Sequence, residues 1–246
     1  MPLVVFLDLY RVLADPDEMT RQYRHRMVEI LNRDYGVPIE RGLKVHDDAF
    51  AQYEYEGRLL DQNHDEIGDG DRWVKAVNDM DADHTARIFE MIGLPPPKDR
   101  YLFAAKFEEE IVRGANALYP DVKPSLKRLK ADGYRIYLTT NASRSNGESA
   151  LVGGGIRDMF DGVVVMEIAK SKKDRPHYWK STFHYTKVNP EDAVVVDDIS
   201  KYLDLAGNMG ARCYQMIRRE VAHKVKKGPW PVIESLAVLP GILKKL

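Results

Sequence analysis

Asp8, the run Thr139-Thr140-Asn141, the lysines of Lys170-Ser171-Lys172-Lys173 and the pair Asp197-Asp198 are the residues of this chain whose types could do chemistry together. Three of these groups follow short apolar runs: Val5-Phe6-Leu7 before Asp8, Ile136-Tyr137-Leu138 before Thr139, and Val194-Val195-Val196 before Asp197. A carboxylate at a strand tip can attack an electrophile or ligate a cation, whereas a hydroxyl and an ammonium bind anions. Carboxylates converging from separate strands repel one another, by about 4 kcal/mol per pair at 4 Å and an effective dielectric of 20. A magnesium ion taking oxygen ligands would relieve that repulsion, and a lysine would add positive charge. A single aspartate in such a place more often caps the next helix. The set, in this order, argues for a site.

Those tips need a sheet to hold them. Short β-branched runs predict strands over residues 3–7, 135–139, 162–165, 193–196 and 212–216, with helices near 122–132, 146–152, 176–185 and 200–209 between them. Strands alternating with helices predict an α/β fold, a doubly wound parallel sheet interrupted after its first strand. The interruption reads as helical throughout. Pro16 and Asp17 open a helix that runs to Tyr35, where Gly36 stops it. Further helices are predicted over 42–60, 72–92 and 98–113, with Pro95-Pro96-Pro97 as a break and 61–71, rich in Asp, Asn and Gly, as a loop. The division expected is residues 1–14 with 118–246 as the core domain and 15–117 as a helical insert. The insert would lie above the C-terminal edge of the sheet, where ligands of open α/β sheets bind.

Composition limits the partners. Hydrophobic residues make up 44% and charged residues 30%, as in a soluble globular protein. A net charge of -1 argues against nucleic acid, and the apolar runs are too short to cross a bilayer. The chain from Met1 lacks the basic-then-apolar order of a signal peptide, and the lone Cys213 excludes an intrachain disulfide and a cysteine metal site. The expectation is a cytoplasmic protein acting on a small anionic substrate, its oligomeric state left open. Charge is uneven: residues 14–117 hold 14 Lys+Arg against 23 Asp+Glu, a net of -9, and the remainder nets +8. An acidic segment set into a basic one suits two structural units.

The order of the four signatures resembles the haloacid dehalogenase-like (HAD) hydrolase superfamily. That family opens with an apolar strand ending in D-x-D-x-[TV], matched from Asp8 to Val12 except at Tyr10. Its second strand ends in Ser or Thr, as here at Thr140; its third signature is a lysine, here Lys173 ahead of Pro176; its fourth strand ends in G-D or D-D, as at Asp197-Asp198. The resemblance implies a Rossmann-like core with a helical cap domain. It implies Asp8 as a covalent nucleophile, and magnesium held by Asp8, the Tyr10 backbone carbonyl, Asp198 and Asp197. It also implies a phosphoryl oxygen bound by the Thr140 hydroxyl and the Asn141 N–H, with Lys173 holding the anionic substrate. Lys170 and Lys172 remain alternatives to Lys173.

Tyr10 departs from the pattern. The family's phosphatases place a second aspartate there as acid and then base, a role worth 10²–10⁴-fold. A tyrosine can donate a proton but is a poor base at neutral pH. Tyrosine at this position is similar to the family's 2-haloacid dehalogenases, whose D-x-Y-G-T motif attacks carbon without a metal. Those enzymes carry serine and asparagine where Asp197 and Asp198 stand here, and Arg41 is a candidate for their cap arginine, although an arginine in a charged helix is more often solvated. The reading favoured is a magnesium-dependent phosphatase. The alternatives are a 2-haloacid dehalogenase and a non-catalytic, ligand-binding relative closed by Tyr10 and Arg11. Tyr53, Tyr55 and Trp73 in the insert fit a core better than a pocket.

Overall fold

The computed structural model describes residues 3–246; Met1, from which the first strand was expected to follow directly, lies outside the described residues. The elements in order are β1 (Val4–Leu7), α1 (Pro16–Tyr35), α2 (Ile39–Gln62), α3 (His64–Ile67), α4 (Asp71–Ile92), α5 (Arg100–Arg113), α6 (Val122–Ala131) and β2 (Arg135–Thr139). There follow α7 (Arg144–Gly153), β3 (Gly162–Val164), α8 (Met166–Ala169), α9 (Pro176–Thr186), β4 (Ala193–Asp197), α10 (Ser200–Gly207), β5 (Arg212–Met216), β6 (Val232–Ile233) and α11 (Leu239–Leu243). The chain divides into two units, Asp17–Asn116 and the remainder.

The larger unit is a six-stranded sheet in the order β3-β2-β1-β4-β5-β6, parallel throughout. Every residue of β1 is buried, which is why the strand reads as an unbroken apolar run rather than an alternating one. Val4 and Phe6 join Val195, Trp179, Phe183, Leu203 and Cys213 in one cluster. The alternate residues Val5 and Leu7 are equally buried, so both faces of the sheet are covered. The chain leaves β1 for β2 and β3 on one side, then returns to place β4 on the other. That reversal creates a crevice at the C-terminal ends of β1 and β4. Register does the rest. Leu7 lies opposite Val196 on one side and Leu138 on the other, so Asp8, Asp197 and Thr139 end their strands at one level.

The smaller unit is helical. Its core gathers Met27, Ile30 and Leu31 of α1, Val45 and Ala49 of α2, Ile88 and Phe89 of α4, and Phe107 and Ile111 of α5. Gly36 ends α1 at φ 67, donating its N–H to Asn32, as the sequence led one to expect. Residues 61–71 correct the expectation of a plain loop. The α2 helix continues to Gln62, and α3 forms because His64 buries its ring against Trp73, with centroids 4.6 Å apart. The turning falls to Gly68 and Gly70, both at positive φ. Trp73 is core, while Tyr55 is half exposed and Tyr53 donates to Asp81. The expected third strand ends one residue early, and β6, α8 and α11 had no counterpart in the sequence reading.

This unit also encloses histidine. His84 is buried beside Tyr53, with rings 4.7 Å apart, and His46 is buried stacked on Phe50. Burial, then the nearby Arg87 and His46 charges, push the His84 pKa down from 6.5 to about 4. Between those values the unfolded chain takes up a proton that the folded one refuses, so stability is present above pH 6.5 and falls with pH towards 4. The loss is on the order of 2–3 kcal/mol. The urea midpoint of the intact chain should therefore fall between pH 7 and pH 5, and His84→Gln should flatten that fall. An unchanged pH dependence in the mutant would place the titration elsewhere.

Candidate active site

Lys173 lies at the centre of the site, fully buried. Its Nζ donates to Asp8 Oδ1 at 2.7 Å, to the Thr139 carbonyl at 3.2 Å, and to Asp197 Oδ2. An ammonium has three protons, and all three are committed. Its backbone is held as firmly: the N–H donates to Asn141 Oδ1 at 2.8 Å, and the carbonyl accepts from Trp179 Nε1 at 3.1 Å. Burial disfavours the charged lysine, but Asp197 and Asp8 outweigh it and hold the proton on. Lys170 is exposed and Lys172 half-buried, whereas Lys173 is buried and bonds both Asp8 and Asp197.

Asp8 follows β1 directly, its N–H donating to Val196 at 3.0 Å. Oxygens of Asp8, Asp197 and Asp198 lie within 4.8 Å of one another, the one such acidic cluster among the described residues. Burial, with the Asp197 and Asp198 charges adding to it, raises the Asp8 pKa to about 8 despite the opposing pull of Lys173. Burial and Asp197 likewise raise Asp198, against the pull of Arg11. Asp197 is completely buried and uses both oxygens, one for Lys173 and one for the Ile199 N–H at 2.9 Å. Asp198 meets Arg11 Nη1 at 3.0 Å through Oδ2. The oxygens left for a further partner are Oδ2 of Asp8 and Oδ1 of Asp198.

Thr140 is buried beyond β2, its hydroxyl accepting from the Ala142 N–H at 3.1 Å and so keeping its own proton to donate. Gly147 lets α7 close on it, since a Cβ there would sit 3.2 Å from Thr140 Cγ2. The Asn141 side chain braces Lys173 and Tyr202. Tyr10 is half-buried and donates to Asn146 Oδ1 at 2.8 Å. Arg41, in the helical unit, donates to the Met91 carbonyl.

Three supports escaped the sequence reading. Gln215, buried in β5, donates to the Asp198 carbonyl at 2.8 Å and to Lys226 at 2.9 Å, and accepts from Gly228. A glutamine among Arg212, Cys213, Tyr214 and Met216 of β5 gives no sign in the sequence that it is buried. Tyr178 donates to the carbonyls of Thr140 and Val164, at 3.1 and 3.0 Å. Arg218, also buried, donates twice to the Val12 carbonyl, at 3.2 and 2.6 Å, and to Asp121 at 2.9 Å, and lies on the Tyr119 ring. It thus ties the turn after Asp8 to the start of α6.

The sheet, the insertion point after β1, the three polar strand tips and the buried Lys173 suit one class of protein, and comparison places it. Residues 72–216 match the model of the haloacid dehalogenase-like hydrolases, and the chain belongs to that family. The Asp8 turn lies ahead of the matched stretch. Protein CbbY of Cereibacter sphaeroides is 26% identical over 140 residues, 56% of this chain and 61% of that protein. Enolase-phosphatase E1 of Citrobacter koseri is 32% identical over 107 residues, 42% and 45% of the two chains. The matched stretches span less than two thirds of these relatives. In fold, the chain is similar to a 2-haloacid dehalogenase from Pseudomonas syringae pv. Tomato DC3000, with a TM-score of 0.66, 20% identity, and coverage of 100% of this chain and 99% of that one.

Arg218 gives this geometry a test independent of turnover. Arg218→Met removes both donors to Val12 and leaves the Asp121 carboxylate without its guanidinium. The expected loss is roughly 3 kcal/mol of unfolding free energy in urea. A variant as stable as the parent would show that the turn after Asp8 holds without this anchor.

Proposed function

We propose that this protein is a magnesium-dependent phosphomonoesterase that acts on a small phosphorylated metabolite through an aspartyl-phosphate at Asp8. The observation that carries the reading is the buried trio of Asp8, Asp197 and Asp198 gathered around Lys173. Burial raises the Asp8 pKa even with an ammonium bonded to it, and the Asp197 and Asp198 charges add to the rise, so the ionised trio is short of positive charge. A divalent cation fits that deficit. Asp8, Asp198 and the Tyr10 carbonyl would hold it, with Asp197 close by but bound to Lys173 and Ile199. When bound, magnesium supplies positive charge to the phosphoryl oxygens and keeps Asp8 ionised.

In this reading an Asp8 oxygen attacks phosphorus, and the ester P–O bond breaks. The leaving alkoxide takes a proton, for which the Tyr10 hydroxyl is the candidate donor. The Thr140 hydroxyl and the Asn141 N–H receive the phosphoryl oxygens, while Lys173 keeps Asp8 aimed. Tyr10 is then reprotonated from solvent. Water attacks the same phosphorus and the Asp8 oxygen–phosphorus bond breaks, restoring the carboxylate and releasing inorganic phosphate, with the water's protons passing to phosphate and solvent. A phenol is a weak base at neutral pH, so this second step lacks the assistance that a carboxylate would give.

Relatives point both ways: one is named as a phosphatase and one structural neighbour as a haloacid dehalogenase. Tyr10 is the residue that favours the dehalogenase reading. Against it stand the acidic pair and the engagement of Arg41 with Met91. No helix among the described residues is long and apolar enough to cross a membrane.

Wild-type protein should hydrolyse an aryl phosphate with magnesium and lose that activity in EDTA. Asp8→Asn should fall below a thousandth of wild type, because an amide cannot attack. Beryllium fluoride should raise the melting temperature of the wild type but not of this variant. EDTA-insensitive chloride release from 2-chloropropionate would overturn the phosphatase reading.

Tyr10→Asp gives a separate check. It should raise turnover of alkyl phosphates more than of aryl phosphates, whose leaving groups need little protonation. A fall in both would show that the phenol is required as it stands.

A further inference from the structure

Arg11 lies three residues after the proposed nucleophile with φ 63, one of three non-glycine residues at positive φ among those described. An L side chain is disfavoured in that conformation, and such strain gathers at functional sites. The turn demands the conformation, since the Arg11 N–H closes it on the Ala14 carbonyl at 2.7 Å. Nothing in the turn demands an arginine. The side chain nevertheless reaches back into the site, where Nη1 meets Asp198 Oδ2 at 3.0 Å. Asp198 is 5% exposed and the Arg11 side chain 32%, so the guanidinium approaches a buried acid from the solvent side. In doing so it buries Nε without a hydrogen-bond partner. An unfavourable backbone and an unmet donor are thus both tolerated to keep one cation on one carboxylate.

That carboxylate is the one the proposed function assigns to magnesium. A guanidinium on Oδ2 and a divalent ion on Oδ1 of one carboxylate repel each other, and a small ion that demands close oxygen ligands leaves little room for a second donor. We propose that Arg11 is a resident counter-cation that competes with magnesium for Asp198, so that the guanidinium swings outward when the ion binds. The inference rests on the magnesium-dependent reading above. It gives the acidic pair a counter-charge when the ion is absent and makes ion binding weaker than three carboxylates alone would give. The one-third exposure of the side chain provides the route by which it can leave.

The test uses the full chain and Mn²⁺ as the probe, with binding followed by electron paramagnetic resonance and calorimetry. Three proteins are compared: wild type, Arg11→Asn and Arg11→Lys. Asparagine tolerates the left-handed backbone and carries no charge; lysine retains the charge. Arg11→Asn should bind Mn²⁺ at least tenfold more tightly than wild type, and Arg11→Lys should stay close to wild type. Arg11→Gly, which suits the backbone best, repeats the comparison if the asparagine variant folds poorly. Equal or weaker binding in the neutral variants overturns the competition and leaves the metal-dependent reading standing. Equal tightening in the lysine variant also overturns it, because charge would then not be the cause. If none of the proteins binds Mn²⁺, the magnesium reading fails and takes this inference with it.

Discussion

The ammonium of Lys173, buried between Asp8 and Asp197, is the interaction on which the rest of this site depends. Parallel pairing brings β1 and β4 side by side, and their register ends both strands in a carboxylate at the same level. Two acids so placed could not both stay ionised without a cation between them. A cation delivered from solvent would be mobile; one carried on the chain must be held by its own backbone. The bonds from the Lys173 main chain to Asn141 and Trp179 do this, and they explain why the loop ahead of α9 packs inward. A buried ion pair is weak evidence of net stability, because desolvation offsets much of the attraction. Its value here lies in fixing where Asp8 points.

Around that pair the supports attach to backbone rather than to the reacting groups. Gln215 holds the Asp198 carbonyl, Arg218 the Val12 carbonyl and Tyr178 the Thr140 carbonyl. Each is a long side chain from an element at or behind the sheet that reaches a loop at the sheet edge. The arrangement fits a turn after Asp8 that lacks regular structure of its own. The turn after Asp8 closes through Leu13 and Ala14 N–H bonds to the Leu9 carbonyl, and Arg218 supplies the outside anchor. Loops can carry chemistry with precision only when rigid groups hold them in this way.

The fold was legible because its strands are buried on both faces. Val4–Leu7 and Ala193–Asp197 read as apolar runs whatever surrounds them, and the polar residues that end them stand out. The strand tips were legible for the same reason: the structure bonds Lys173 to Asp8 and Asp197 and brings an Asp198 oxygen within 4.8 Å of theirs. The short elements were not. The two-residue β6 and four-residue α3 and α8 carry too little pattern for periodicity to register, and tertiary contacts such as His64 on Trp73 decide them. Nor could the sequence choose among Lys170, Lys172 and Lys173, which are neighbours of identical charge. The choice depends on which side chain the loop turns inward, and that follows from the Asn141 bond, a contact 32 residues distant. Gln215 and Arg218 were hidden because an isolated polar residue near a strand end looks the same whether it is solvated or buried.

Charge explains why Tyr10 and Arg11 can occur together. In the family pattern the position of Tyr10 holds a second aspartate, which would give this crevice a fourth carboxylate. Replacing it with a phenol removes one negative charge, and Arg11 adds a positive one to Asp198. Three carboxylates therefore face two cations. A divalent ion that displaced Arg11 would, with Lys173, balance the three carboxylates, whereas a fourth carboxylate would leave a deficit of positive charge. A phosphate dianion aggravates such a deficit. Under the proposed phosphatase function, the loss of the second carboxylate would favour binding of the anionic substrate even as it removes the better base, at the cost of slower hydrolysis of the proposed covalent intermediate.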